Sequence, residues 1–215
     1  ATVVPPTPTE TAIPTDTPTP TATPLPQGWV FSGLHGYPAE ALNGMVFYGT
    51  LLNNTGGPQQ LNKIDPSLYD AQGQPIPVEK VISQWPVRAV PQGGTVPVSV
   101  VVPNVQGVAD FDFQVQAEPG GDIPREDFEF VGINPSDEGE QYCLTGPLRN
   151  PGDQLQGYLM VTAILYDEQD QVINYNNAFK SGPREVVGDQ LLDVSLCVKP
   201  RQQAVARYEL RAWGL

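Results

Sequence analysis

From residue 28 onward, the chain carries short alternations of apolar and polar residues. Phe111, Phe113 and Val115 alternate with Asp110, Asp112, Gln114 and Gln116; Tyr208, Leu210 and Ala212 alternate with Arg207, Glu209 and Arg211. A period of two places one face of a strand against a core and the other in water. Residues 95–102 are a β-branched run of strand length, and residues 158–166 are apolar enough to predict a central strand. Turn-forming clusters at 53–57, 70–73, 91–94 and 150–153 punctuate these runs. No stretch combines an apolar period of 3.6 with helix caps, so the pattern predicts an all-β protein.

The strands repeat. Shifted by 97 residues, the chain matches itself without a gap over roughly 80 residues. Gly49, Leu51 and Asn53 fall on Gly146, Leu148 and Asn150, and Leu68-Tyr69-Asp70 falls on Leu165-Tyr166-Asp167. Gln72, Gln74 and Ile76 fall on Gln169, Gln171 and Ile173, and Phe111-Asp112-Phe113 on Tyr208-Glu209-Leu210. Two copies of one unit are expected, at residues 28–120 and 121–215. Short strands at this spacing predict a pair of tandem immunoglobulin-like β-sandwiches.

The pattern Gly49, Asn53, Ser67-Leu68-Tyr69-Asp70-Ala71-Gln72-Gly73, Pro91 and Phe113 resembles the FxLYD-type domains of secreted bacterial surface proteins. Ile164-Leu165-Tyr166-Asp167 is similar in the second copy. The resemblance implies an immunoglobulin-like, non-catalytic unit of an envelope or surface protein; a fold of this kind does not by itself name a ligand.

Residues 1–27 differ from everything that follows. Residues 1–26 hold nine Thr and eight Pro. Proline removes backbone donors and restricts the residue before it, so this tract forms neither helix nor central strand. It predicts an extended, polyproline-II-like stalk reaching roughly 80 Å, or a disordered linker. Such composition marks O-glycosylated stalks, which makes Thr7, Thr9, Thr11, Thr15, Thr17, Thr19, Thr21 and Thr23 candidate acceptors; unmodified threonines that favour extension are the other reading. The large apolar residues of the tract, Val3, Val4, Ile13 and Leu25, are candidate assembly contacts, with Val3-Val4 placed to enter a neighbour's groove or sheet edge.

The two cysteines, Cys143 and Cys197, both lie in the second copy, at positions that correspond to Val46 and Val100 in the first. The expectation is that Val46 and Val100 pack together and that the second copy replaces their contact with a disulfide. That bond would close a 54-residue loop and add roughly 4 kcal/mol in the chain-entropy model. It suits an oxidising compartment. Two buried thiols are the alternative; two cysteines so far apart, with no further ligands at zinc spacing, are not a metal site.

Charge narrows the partners. The net charge is −13, and both halves are acidic. No basic face is available to neutralise a phosphate backbone or an anionic membrane. No apolar run is long enough to predict a membrane span, no secretory leader is visible, and Ala1 reads as the start of a mature chain. His35, beside glycines, reads as a loop residue, and no nucleophile elbow, phosphate loop or zinc-protease motif occurs. The expectation is a non-enzymatic chain without a cofactor. Asp137, Glu138 and Glu140, or Asp122, Glu126 and Asp127, could offer oxygens to Ca2+, against the reading of solvated acidic loops. Asp70 and Asp167 read as caps of the turns that follow them. Asn53-Asn54-Thr55 is a glycosylation sequon within a turn, and the stalk threonines are the better acceptors. Trp29, Trp85 and Tyr37 could form an aromatic platform or pack in the core.

These features predict an extracellular structural subunit that assembles with copies of itself into a filament or surface layer, with glycans as covalent additions. The alternative is a stalk-displayed adhesin or other glycan- or protein-binding module.

Overall fold

The computed structural model describes residues 25–181, 191–201 and 203–215. The described residues form antiparallel strands, with one 3-10 turn at Glu40–Leu42 and no α-helix. The first half holds β1 (Gly28–Ala39), β2 (Gly44–Asn54), β3 (Gln59–Tyr69), β4 (Pro75–Ile76), β5 (Ile82–Gln84), β6 (Ala89–Val90), β7 (Thr95–Val102) and β8 (Asp110–Pro119). Sheet I runs β1-β2-β7-β5. In sheet II, β3 pairs with β8 along its length and with β4 and β6 at its two ends.

The second half holds β9 (Glu129–Phe130), β10 (Asn134–Asp137), β11 (Tyr142–Arg149), β12 (Tyr158–Tyr166), β13 (Val172–Ser181), β14 (Leu191–Val198) and β15 (Arg207–Gly214). Sheet III runs β13-β12-β15, and sheet IV runs β10-β11-β14 with β9 on the end of β11. The pairing of β2 with β7 thus recurs as β11 with β14, and that of β3 with β8 recurs as β12 with β15.

Alternation decides what each sheet buries. Phe47, Leu51, Val96, Val98, Val100 and Val102 of sheet I close on Leu61, Ile64, Leu68 and Phe113 of sheet II. Leu144, Leu148, Val194, Leu196 and Val198 of sheet IV close on Leu159, Val161, Ala163, Leu165 and Ala212 of sheet III. A third cluster joins the halves: Tyr37, Val46 and Tyr48 of sheet I against Ile164, Tyr166 and Val172 of sheet III. The four sheets therefore stack in the order II, I, III, IV. Sheet III is covered on both faces, which is why β12 is apolar throughout (Thr162 is also buried).

Two expectations need correction. The polar-side residues of β15 do not form a wet face: Arg211 is largely covered and Trp213, 1% exposed, packs with the first-half core. Val46 and Val100 do not pair: Val46 lies opposite Val101, and Phe47 lies opposite Val100. The core positions of β7 (Val96, Val98, Val100, Val102) match Leu192, Val194, Leu196 and Val198 of β14 at an offset of 96. The 97-residue register therefore slips by one across this strand. A one-residue slip turns a side chain to the opposite face, so Val100 enters the core while Val46 faces the other half.

Candidate assembly edges and the seam between the halves

The turns that the two copies share are built alike. Asp70 Oδ1 accepts the backbone N–H groups of Gln72 at 2.9 Å and Gln74 at 2.8 Å; Asp167 Oδ1 accepts those of Gln169 and Gln171, both at 2.9 Å. These carboxylates cap turns, as their position predicts. Asn53 and Asn150, both 0% exposed, also correspond. Asn53 donates to the carbonyls of Gly57 and Val90, each at 2.9 Å, and accepts the Thr55 N–H at 3.1 Å. Its amide is thus buried and engaged, so the sequon of the folded chain offers no acceptor to a glycan. Asn150 accepts the Arg125 guanidinium at 2.9 Å and donates to the Asp153 carbonyl at 3.0 Å.

Across the seam, Tyr37 donates to the Val172 carbonyl at 3.3 Å and Tyr175 to the Gln84 carbonyl at 2.9 Å. Arg201 reaches the Tyr48 hydroxyl at 2.7 Å, its guanidinium 5.2 Å from the centre of that ring. Burial, with the Asp167 carboxylate adding to it, pushes Tyr37 up to about 12. Burial also raises Tyr48 and Tyr175 above the ordinary tyrosine range. Gly33, at φ +57°, is required here because a Cβ on it would lie 2.6 Å from the Asp170 carbonyl oxygen. Beside the seam, Ser32, Thr50, Tyr166, Asp170, Arg207 and Glu209 line a shallow cleft of about 320 Å³. Its polar groups bond one another: Tyr166 donates to Glu209 at 2.9 Å, and Arg207 pairs with Asp170 at 2.7 Å.

Sheets II and III each end on an edge strand, β8 and β15, which are the same strand of the repeat. Phe111, Val115 and Ala117 stay half-buried along the β8 edge, and Tyr208 and Leu210 along that of β15. The end of β15 is partly occupied, since Gly214 and Arg125 exchange backbone hydrogen bonds at 3.0 and 2.8 Å.

Cys143 and Cys197 are directly opposite on β11 and β14 and form the disulfide. They alternate with Leu144, Leu196 and Val198, which face the core, so the bond lies on the outer face of sheet IV. The remaining candidates are dispersed. Val3, Val4, Ile13 and the eight stalk threonines (Thr7 through Thr23) lie outside the described residues; Leu25 is described, and it is exposed. His35 sits in β1 opposite Tyr48 rather than in a loop, edge-on to the Tyr37 ring. Trp29 and Trp85 pack against the first core while Tyr37 is buried in the seam, so no exposed platform forms. Asp127 pairs with Arg125, whose hydrogen bond holds its carboxyl below the usual range, and Glu126 pairs with Arg211. Among the described residues no group of three or more acidic, histidine or cysteine side chains is placed to hold a metal ion, and no helix is long and apolar enough to cross a membrane.

The seam residues escape a reading of alternation alone. A signal for them does exist in the repeat: Tyr48, Ile164 and Trp213 correspond to Thr145, Ser67 and Gln116. Where one copy is apolar and its counterpart polar, only one of the two faces is covered.

No family model, no curated protein and no solved structure matches this chain.

Proposed function

We propose that the chain is an extracellular structural subunit: two immunoglobulin-like sandwiches of FxLYD type, stacked as one block behind a Thr/Pro-rich stalk, that assemble with copies of themselves into a filament or surface layer. The observation that carries this reading is that β8 and β15, the same strand of each repeat, end their sheets as full-length edges which, apart from the Gly214–Arg125 bridge, carry no further strand partner among the described residues. Such edges are templates for adding another chain. The disulfide on the outer face supports an oxidising setting, and the stalk supplies a tether to neighbouring subunits. Negative-stain electron microscopy of the native protein, extracted without denaturant, tests it. Regular fibres or sheets are expected; isolated particles at every concentration overturn it.

The cleft beside the seam favours the second reading, a displayed glycan-binding module, because its hydroxyl, carboxylate and guanidinium groups match the donors and acceptors of a sugar. Glycan-array binding that is lost in Glu209→Ala would favour this reading over the first.

A further inference from the structure

Several strands end their sheets, β1, β13 and β14 among them, but β8 and β15 are the same strand of the repeat, and these two edges are not equivalent in charge. On β8 the side chains turned away from the core are Asp110, Asp112, Gln114, Gln116 and Glu118, all exposed. This row contains three acids and no base. On β15 the corresponding row is Arg207, Glu209 and Arg211, followed by Trp213. Arg207 is the most open of these cations, with 47% of its side chain exposed, and the rest of its neighbourhood is the cleft.

We infer that β8 of one copy pairs edge to edge with β15 of the next, so that sheet II of one molecule continues into sheet III of its neighbour. This rests on the assembly reading above and names the contact that propagates it. Three observations select this occupant. First, among the described residues both strands have a side without a strand partner, save the Gly214 end of β15, flanked by half-buried core residues, so added backbone would shelter Phe111, Val115, Tyr208 and Leu210 together. Second, pairing β8 with a second β8 would set acid rows against one another, whereas the row of β15 presents Arg207, half-exposed beside its Asp170 partner, with Arg211 already engaged by Glu126 and Thr95; charges on facing strands act directly across the pair. Third, the stalk is a poor strand donor: its longest proline-free run is 9–13, only half the length of the ten-residue β8.

The contact is heterologous, because β8 and β15 belong to different halves of the same molecule. Each copy therefore offers one donor edge and one acceptor edge, and growth continues unless the rotation closes a ring. The stretch of β15 from Arg207 to Trp213 is the part available, since Gly214 is already bonded to Arg125. β8 has no internal proline, no charge turned toward the core and no bulge of its own to discourage an added strand; the register shift of that pair falls within β3.

The experiment uses the full chain and two charge-reversed variants. One carries Asp110→Lys and Asp112→Lys on β8; the other carries Arg207→Glu on β15. Far-ultraviolet circular dichroism establishes that both are folded, and sedimentation velocity with electron microscopy reads assembly. Each variant alone is expected to need a concentration roughly tenfold or more above wild type to assemble, because facing rows now repel. An equal mixture of the two is expected to assemble again, since each interface in an alternating copolymer is then complementary. Variants that assemble as wild type does, or a mixture that remains dispersed, overturn the β8–β15 contact while leaving a self-assembling subunit intact. A wild-type chain that does not assemble overturns both.

Discussion

The strands β8 and β15 occupy the same place in the repeat, pair with equivalent neighbours and share the same alternation, yet their outer rows have opposite fates. Asp110, Asp112, Gln114 and Gln116 stand in solvent. Their counterparts Arg207, Glu209, Arg211 and Trp213 lie against or beside the first half: Arg211 bonds the Thr95 hydroxyl at 2.5 Å, and Trp213 is buried. Alternation fixes which residues share a face, but it does not say whether that face meets water or another sheet. The substitutions between copies do say so. Gln116 against Trp213, and Ser67 against Ile164, mark a stack whose outward face on this side has been made polar, as terminal units of repeat proteins require.

The largest test of this contrast exchanges counterparts. Trp213→Gln should cost about 3–5 kcal/mol, because it empties a filled site and leaves an amide there. Gln116→Trp on the open face should change stability by less than about 0.5 kcal/mol. Urea unfolding of the two variants decides this; equal effects would mean that the seam contributes nothing to folding.

Next in size is the disulfide. Reduction, or Cys143→Ser with Cys197→Ser, should cost roughly 2–4 kcal/mol. The loss should be confined to the second half, since the corresponding strands of the first half carry valines. Hydrogen exchange with and without a reducing agent would show faster opening in β11 and β14 and no change in β2 and β7.

A smaller effect is expected from the buried asparagines. Asn53→Ala and Asn150→Ala should each cost about 1–3 kcal/mol by leaving buried carbonyls without donors. Thermal unfolding measures both, and similar losses would confirm that the two turns do the same work in each copy.

The mildest perturbation is alkaline pH. A tyrosine whose folded pKa lies above 10.0 binds its proton more tightly in the folded state. Its contribution is unaffected below pH 10 and destabilises the fold progressively as pH rises toward about 12, the value for Tyr37. Titration followed by tyrosinate absorbance should show the seam tyrosines Tyr37, Tyr48 and Tyr175 ionising only above pH 10, with loss of structure accompanying them. Full ionisation near pH 10 with the fold intact would contradict a buried seam.

Much of the local design was legible in the sequence. The turn caps Asp70 and Asp167, the central strand at Tyr158–Tyr166 and the bonded Cys143–Cys197 pair all follow from residue chemistry and spacing. The partnering of sheets I and III was not, because a seam depends on how two surfaces meet, which periodicity does not encode. His35 was hidden for a related reason: Gly33 and Gly36 resemble a loop, yet they permit close approach to Asp170 and to the Phe47 ring. The one-residue offset of β14 was masked because Val101 and Pro103 still fall on Val198 and Pro200 at 97, which carried the longer match across the strand.

The most direct test of the account is hydrogen exchange measured by mass spectrometry on dilute and concentrated full-length protein. Slower exchange in peptides covering both β8 and β15 on concentration, with the outer face of sheet IV unchanged, is the predicted result. Protection of one edge without the other, or of neither, would contradict assembly through paired edges.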